Sequence, residues 1–299
     1  MSTAQRGVGR APSWLAWPAL GVLILGLLVP LAVIFVDSFR LRGTYERFAP
    51  IEDMVAHLTS GTFLTNYVNA VKGVYLNIFW RSMWIASITT AVCLLVSYPL
   101  AWWLAIRVPP RWRAGGMLLI VIPFWTSFVV RTFAWVWILR TEGLINTVLM
   151  SLGLIHEPLP LLYNEGAVLV GLVYGELPFM ILPIYASLEK LDRSLLEAAA
   201  DLGAGAWDTF WKVVWPLTLP GVAAGVVLVF VPSIGQFLIS DMLGGAKSML
   251  IGNLVQNQFF GGKNAPFGYA LSFLLTATVL GILAIQPKLF RGARSEDLL

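Results

Sequence analysis

The chain has 299 residues, of which 58% are hydrophobic and only 12% charged, with a formal net charge of +4. Its mean hydropathy is +0.78, and soluble domains carry roughly 25% charged residues. This excludes an ordinary soluble enzyme and implies a polytopic membrane protein. The basic residues are scattered singly, with no stripe that would track phosphates, so nucleic acid is not an expected partner.

A bilayer core of about 30 Å needs about 20 apolar residues per helix. Six stretches qualify, at roughly 14–36, 82–106, 115–138, 166–187, 217–240 and 267–286. The expected fold class is therefore all-α, with six transmembrane helices in one domain over 14–286. Residues 1–13 and 287–299 are its expected cytoplasmic ends. The first run follows Arg6 and Arg10, is long for a signal core and lacks a small-x-small cleavage site. It reads as an uncleaved anchor. The fifth run is interrupted by Pro232, Gly235 and Gln236, which predicts a kink or a helix beside a wet path. No internal repeat is evident.

Lys and Arg favour the cytoplasmic side of a membrane. With the N-terminus inside, the cytoplasmic segments hold Arg6, Arg10, Arg107, Arg111, Arg113, Lys190, Arg193, Lys212, Lys288, Arg291 and Arg294. The exterior segments hold Arg40, Arg42, Arg47, Lys72, Arg81, Arg140, Lys247 and Lys263 over longer loops. The turn at 107–113 is the strongest vote, with three arginines beside two prolines. The exterior segment 139–165 is apolar but broken by Gly153, Pro158 and Pro160, and predicts short interfacial helices.

Between the fourth and fifth runs lies a polar, helix-forming loop, 188–216. Ser194-Leu-Leu-Glu197 has the form of a capping box. Gly203 suits a helix C′ position that needs positive φ. Trp207, Phe210, Trp211 and Val214 fall on one face of a second short helix, and Pro216 and Pro220 are expected to end it. Such a loop is either a docking element for a partner or a hairpin lying in the headgroup layer.

Charged residues at membrane depth are costly and mark function or pairing. Glu176 lies mid-run beside Pro178, which is expected to open the helix. It reads as a pathway carboxylate for an amine cargo, as a structural partner of Arg131, or as a protonated acid. Asp241, after the fifth run, reads as a pathway acid or a solvated turn residue. Arg131 snorkels by default to the interface. Trp125, Trp135, Trp137 and Tyr174 are candidates to hold an amine by cation–π contact, or serve as belt and packing residues. Cys93 is alone, and His57 and His156 show no metal-ligand spacing. No GxxxxGK[ST] loop occurs, so any ATP-driven step needs another chain.

The loop at 197–216 resembles the EAA loop of ABC importer permeases, whose pattern is E-A-A, three residues, Gly, nine residues, Ile-x-Leu-Pro. Glu197, Ala198, Ala199, Gly203 and Pro216 match, Val213 stands for the Ile and Trp215 replaces the Leu. Four longer blocks, SYPLAWWLA at 97–105, VIPFWTSFVVRTFAW at 121–135, 171–204 and VPSIGQFLISDMLGGAKSMLIGN at 231–253, resemble permease subunits of spermidine/putrescine importers. The resemblance implies a type I importer permease fold in a bacterial inner membrane. It implies a second homologous permease, an ATPase dimer and an extracytoplasmic solute-binding protein as partners. No cofactor is expected on this chain, with ATP and Mg on the ATPase. It implies coupling to that ATPase through Glu197, Ala198, Ala199, Gly203, Trp207, Phe210, Trp211 and Pro216. The same branch carries other solutes, such as an amino acid derivative, thiamine, an iron(III) carrier or a phosphonate. A secondary transporter without an ATPase is the remaining class. The capping box, the Gly203 spacing and the aromatic face argue against it, as does the lack of paired broken helices.

Overall fold

The computed structural model describes residues 17–43, 62–245, 248–261 and 264–289. Arg6, Arg10, Arg47, His57, Lys247, Lys263, Arg291, Arg294, the first residues of the 14–36 stretch and most of both expected ends lie outside the described residues, as does the side chain of Lys288. Among the described residues, the elements are helices joined by turns. That is the solution lipid imposes, because a helix satisfies its own backbone where water is absent.

Helix α1 spans Trp17–Ser38, α2 is Thr65–Ala70, and α3 runs Gly73–Trp102 into a π turn at Trp103–Arg107. Helix α4 is Pro110–Val121, α5 is Phe128–Leu139 and α6 is Leu144–Ser151. Helix α7 is Glu165–Glu189 and α8 is Arg193–Asp201. Helix α9 runs Ala206–Gly235, α10 is Ile251–Phe260 and α11 is Ala265–Leu289.

The core is a triad of α3, α7 and α9, in which Cys93, Met180, Ile181, Ile184 and Val229 are fully buried. Two glycines one turn apart set the α7–α9 distance. A Cβ on Gly221 would meet the Pro183 carbonyl oxygen at 2.5 Å, and one on Gly225 would meet Met180 Sδ at 2.6 Å. Lipid supplies no hydrophobic drive between helices, so close contact of small residues takes its place. Glu165, the first residue of α7, pairs with Arg81 in the third turn of α3. Helix α1 packs along α11, with Phe35 and Phe273 ring centroids 5.0 Å apart, and none of its apolar window is buried within the chain.

Five helices are long and apolar enough to cross a membrane, and a bent pair makes a sixth span. The pair is the stretch expected as one helix at 115–138. It breaks at a 3-10 turn, Ile122–Trp125, and its halves diverge by 88°. Pro123 removes a backbone donor there, and Thr126 and Ser127 are extended at ψ 156° and 131°. Two expected breaks are absent. Pro178 lies inside the continuous α7, leaving the Tyr174 carbonyl without its intrahelical donor. Neither Pro216 nor Pro220 ends a helix, since α9 continues to Gly235. A π turn at Phe210–Val214 precedes Pro216, and the wider i→i+5 spacing gives room for the proline ring. The fifth run is interrupted where the sequence predicts, since α9 carries Pro232 and ends at Gly235, with Gln236 extended at ψ 119°. The 139–165 segment holds one short helix, α6. It is tied by buried Asn146, whose Nδ2 donates to the Leu159 carbonyl and whose Oδ1 accepts from the Leu159 N–H, both at 3.0 Å.

Candidate coupling surface and pathway residues

The loop between α7 and α9 is a built turn. Helix α8 is capped by Asp192, whose Oδ1 accepts from the Ser194 N–H at 3.0 Å. The expected capping box at Ser194 is therefore displaced by two residues. An aspartate already satisfies the free N–H there, and Glu197 is exposed. The Ser194 hydrogen bonds hold the Asp192 carboxyl below its ordinary range. A depressed folded pKa means the cap contributes at higher pH and is lost as pH falls through that value.

The other end of α8 closes as the sequence predicts. Gly203 has φ +78°. Its N–H bonds the Ala200 carbonyl at 2.9 Å, and the Ala204 N–H bonds Ala199 at 3.0 Å, the paired bonds of a Schellman motif. A Cβ on Gly203 would meet nothing within 4 Å, so backbone conformation alone demands glycine.

Ala199 and Val214 are buried, while Glu197 and Ala198 are exposed. The turn is thus anchored on one side and open on the other. Leu196, Phe210 and Trp215 pack on the triad core. Phe210 and Trp215 each approach Tyr98, at 5.6 and 5.4 Å, and Tyr98 Oη lies 2.8 Å from Thr218 Oγ1. From that anchor an aromatic series runs outward through Phe210 and Trp211 to Trp207, with Trp207 and Trp211 5.7 Å apart. Leu202 is 88% and Trp207 73% exposed, forming an apolar tip on a rigid stem.

The proposed pathway residues do not form one cluster. Trp135 and Tyr174 meet edge to face at 5.4 Å, and Phe124 stacks on Tyr174 at 5.7 Å. Arg131 places its guanidinium 4.4 Å from the centre of the Phe124 ring. Trp125 is 80% exposed nearby on the break. Glu176 follows Tyr174 by two residues, which turns it to the other side of α7. It is 6% exposed, its helix neighbours Leu172 and Met180 are fully buried, and its Oε2 has no hydrogen-bond partner. Level with it, α3 brings Cys93 Sγ to 3.7 Å from the Val173 carbonyl oxygen. Among the described residues no ion pair joins Glu176 to Arg131. The guanidinium lies instead over aromatic rings, the weaker but less demanding partner at this depth. Asp241 is exposed on a π turn, Ser240–Gly244, and accepts a hydrogen bond from Asn253 Nδ2. Sequence reasoning missed Phe124 and Asn253. Phe124 could have been found from its place beside Pro123 in an aromatic block.

A bundle of membrane-length helices with a capped, outward-facing helical turn at one end is the architecture of a transport permease. The fold agrees with a solved bacterial alginate ABC transporter in complex with its periplasmic protein, at a TM-score of 0.65 and 16% identity over 93% of this chain and 94% of that one. The chain belongs to the family of binding-protein-dependent transport system inner membrane components, which its residues 97–287 match. It is 40% identical to the spermidine/putrescine transport system permease PotB of Haemophilus influenzae, covering 85% of each chain. It is 39% identical to PotB of Escherichia coli, covering 89% of this chain and 92% of that one.

Proposed function

We propose that this chain is the permease subunit of an ATP-driven importer of polyamines. It forms half of a translocation pathway with a second, homologous permease and takes solute from an extracytoplasmic binding protein. Its 190–216 turn sits in a cleft of a separate ATPase chain, which holds ATP and Mg. The observation that carries this reading is the stem-and-tip geometry of the turn. The Asp192 cap and the Gly203 motif fix its shape, and Leu202 and Trp207 project from it. A rigid element of this kind transmits a push, whereas a loose loop absorbs it. The cargo class rests on the two relatives that are permeases of spermidine/putrescine transport systems. In this reading the 107–113 turn and the 190–216 turn face the cytoplasm.

The pathway acids give the test of cargo. In this proposal Asp241 attracts amines along the route, assisted by the Tyr174, Trp135 and Trp125 rings, and Glu176, buried on the opposite side of α7 from Tyr174, acts on the route from behind that wall. Glu176 has no counter-ion among the described residues, so neutralising it strands no partner charge. Glu176→Gln and Asp241→Asn are expected to slow spermidine uptake while expression and assembly with the ATPase stay at the wild-type level. Full uptake by both variants would remove these acids from the route.

A further inference from the structure

We infer that the groove between α3 and α11 is a site for one phospholipid with an anionic headgroup, in the leaflet at the Lys72 end of the bundle. Between α3 and α11, beside α2, lies a cavity of about 160 Å³, lined by Val71, Tyr75, Phe79, Leu271, Leu274 and Thr278 among others. A shallower depression of about 440 Å³, formed by Leu64, Tyr67, Val68, Val71 and Lys72, opens beside it. Val71 lines both, so the two adjoin at that residue. Its walls are apolar except at the upper end, where the Lys72 ammonium stands exposed and hydrogen-bonded to Asn69 Oδ1.

The dimensions and the charge select the occupant. Tyr75 and Phe267 touch, with ring centroids 5.0 Å apart, and mark one level on both helices. Thr278 lies eleven residues further along α11, or about 16 Å of helix. One leaflet contributes about half of the roughly 30 Å hydrocarbon core. The groove is thus as deep as one acyl layer, with a cation where the phosphate of that layer would lie. Val68 and Val71 are 58% and 61% exposed at its mouth, a surface that an acyl chain covers and water does not. A single ammonium near the surface attracts anionic lipid by about 1 kcal/mol, or about fivefold, so the site shows as enrichment rather than as absolute selectivity.

The test uses the complete transporter, purified in mild detergent from a membrane containing phosphatidylethanolamine and phosphatidylglycerol. Retained phospholipid is counted by phosphorus analysis and typed by headgroup. The wild type is expected to hold phosphatidylglycerol at several times its share of the membrane. Lys72→Glu should abolish that enrichment, and Thr278→Phe should lower the amount of lipid retained. Lys72→Gln, a mild change on an exposed residue, keeps the comparison open if Thr278→Phe does not assemble. Unchanged lipid amount and headgroup composition in the assembled variants would overturn the proposal. So would efficient cross-linking of Val71→Cys, in a Cys93→Ala background, to the second permease, since protein rather than lipid would then cover the groove.

Discussion

Gly203 holds a left-handed backbone at φ +78° with open space around it, so its replacement separates strain from crowding. A left-handed conformation costs roughly 1–2 kcal/mol for a residue with a Cβ, and more for a β-branched one. Asn tolerates it by bonding locally. Gly203→Val is therefore expected to lose both transport and retention of the ATPase, and Gly203→Asn to keep most of each. Equal loss in the two variants, measured by copurification and uptake, would mean that the turn is not set by this backbone angle. This glycine was legible in sequence because few residue types suit a left-handed helix end, glycine above all. The cap was not, because Asp192 and Ser194 both qualify and three-dimensional context decides which carbonyl or N–H is free. The direction of Glu176 was hidden for a similar reason. Its burial depends on which side of α7 meets α3 and α9, and a helix apolar all round carries no mark of that.

At the scale of elements, apolar length located the spans, while their continuity was misread in both directions. Pro123 breaks a span because extended Thr126 and Ser127 follow it. Pro178 and Pro216 do not break theirs. At Pro216 a π turn gives room for the ring, and α7 runs unbroken through Pro178. Proline identity alone does not separate these outcomes. The seam between α7 and α9 makes a graded prediction. A Cβ at Gly221 meets a backbone carbonyl, which cannot move away, whereas at Gly225 the nearest atom is the flexible Met180 sulfur. Overpacking a tight contact costs roughly 1–3 kcal/mol. Gly221→Ala is expected to lower the thermal stability of the purified transporter clearly more than Gly225→Ala. The reverse order would show that the seam is not set by the Pro183 contact.

The whole molecule has an orientation in the membrane and, as proposed, partners that complete the transporter. The chain is an inner membrane component by family, and the orientation proposed above from the Lys and Arg distribution has the 190–216 turn facing the cytoplasm. With cysteines introduced singly in a Cys93→Ala background, an impermeant thiol reagent added to intact cells is expected to label Thr147→Cys and to leave Gly205→Cys unlabelled. Labelling at 205 alone would invert the orientation. The central claim, that this permease moves polyamines at the expense of ATP on another chain, is tested most directly by reconstitution. The permease pair, ATPase and binding protein are placed in liposomes with ATP available to the ATPase, and uptake of labelled spermidine and putrescine is followed. Uptake is expected to require ATP and the binding protein and to fall to background with Gly203→Val. Polyamine uptake that proceeds without ATP, or ATP-dependent transport that ignores both polyamines in favour of another solute, would contradict the claim.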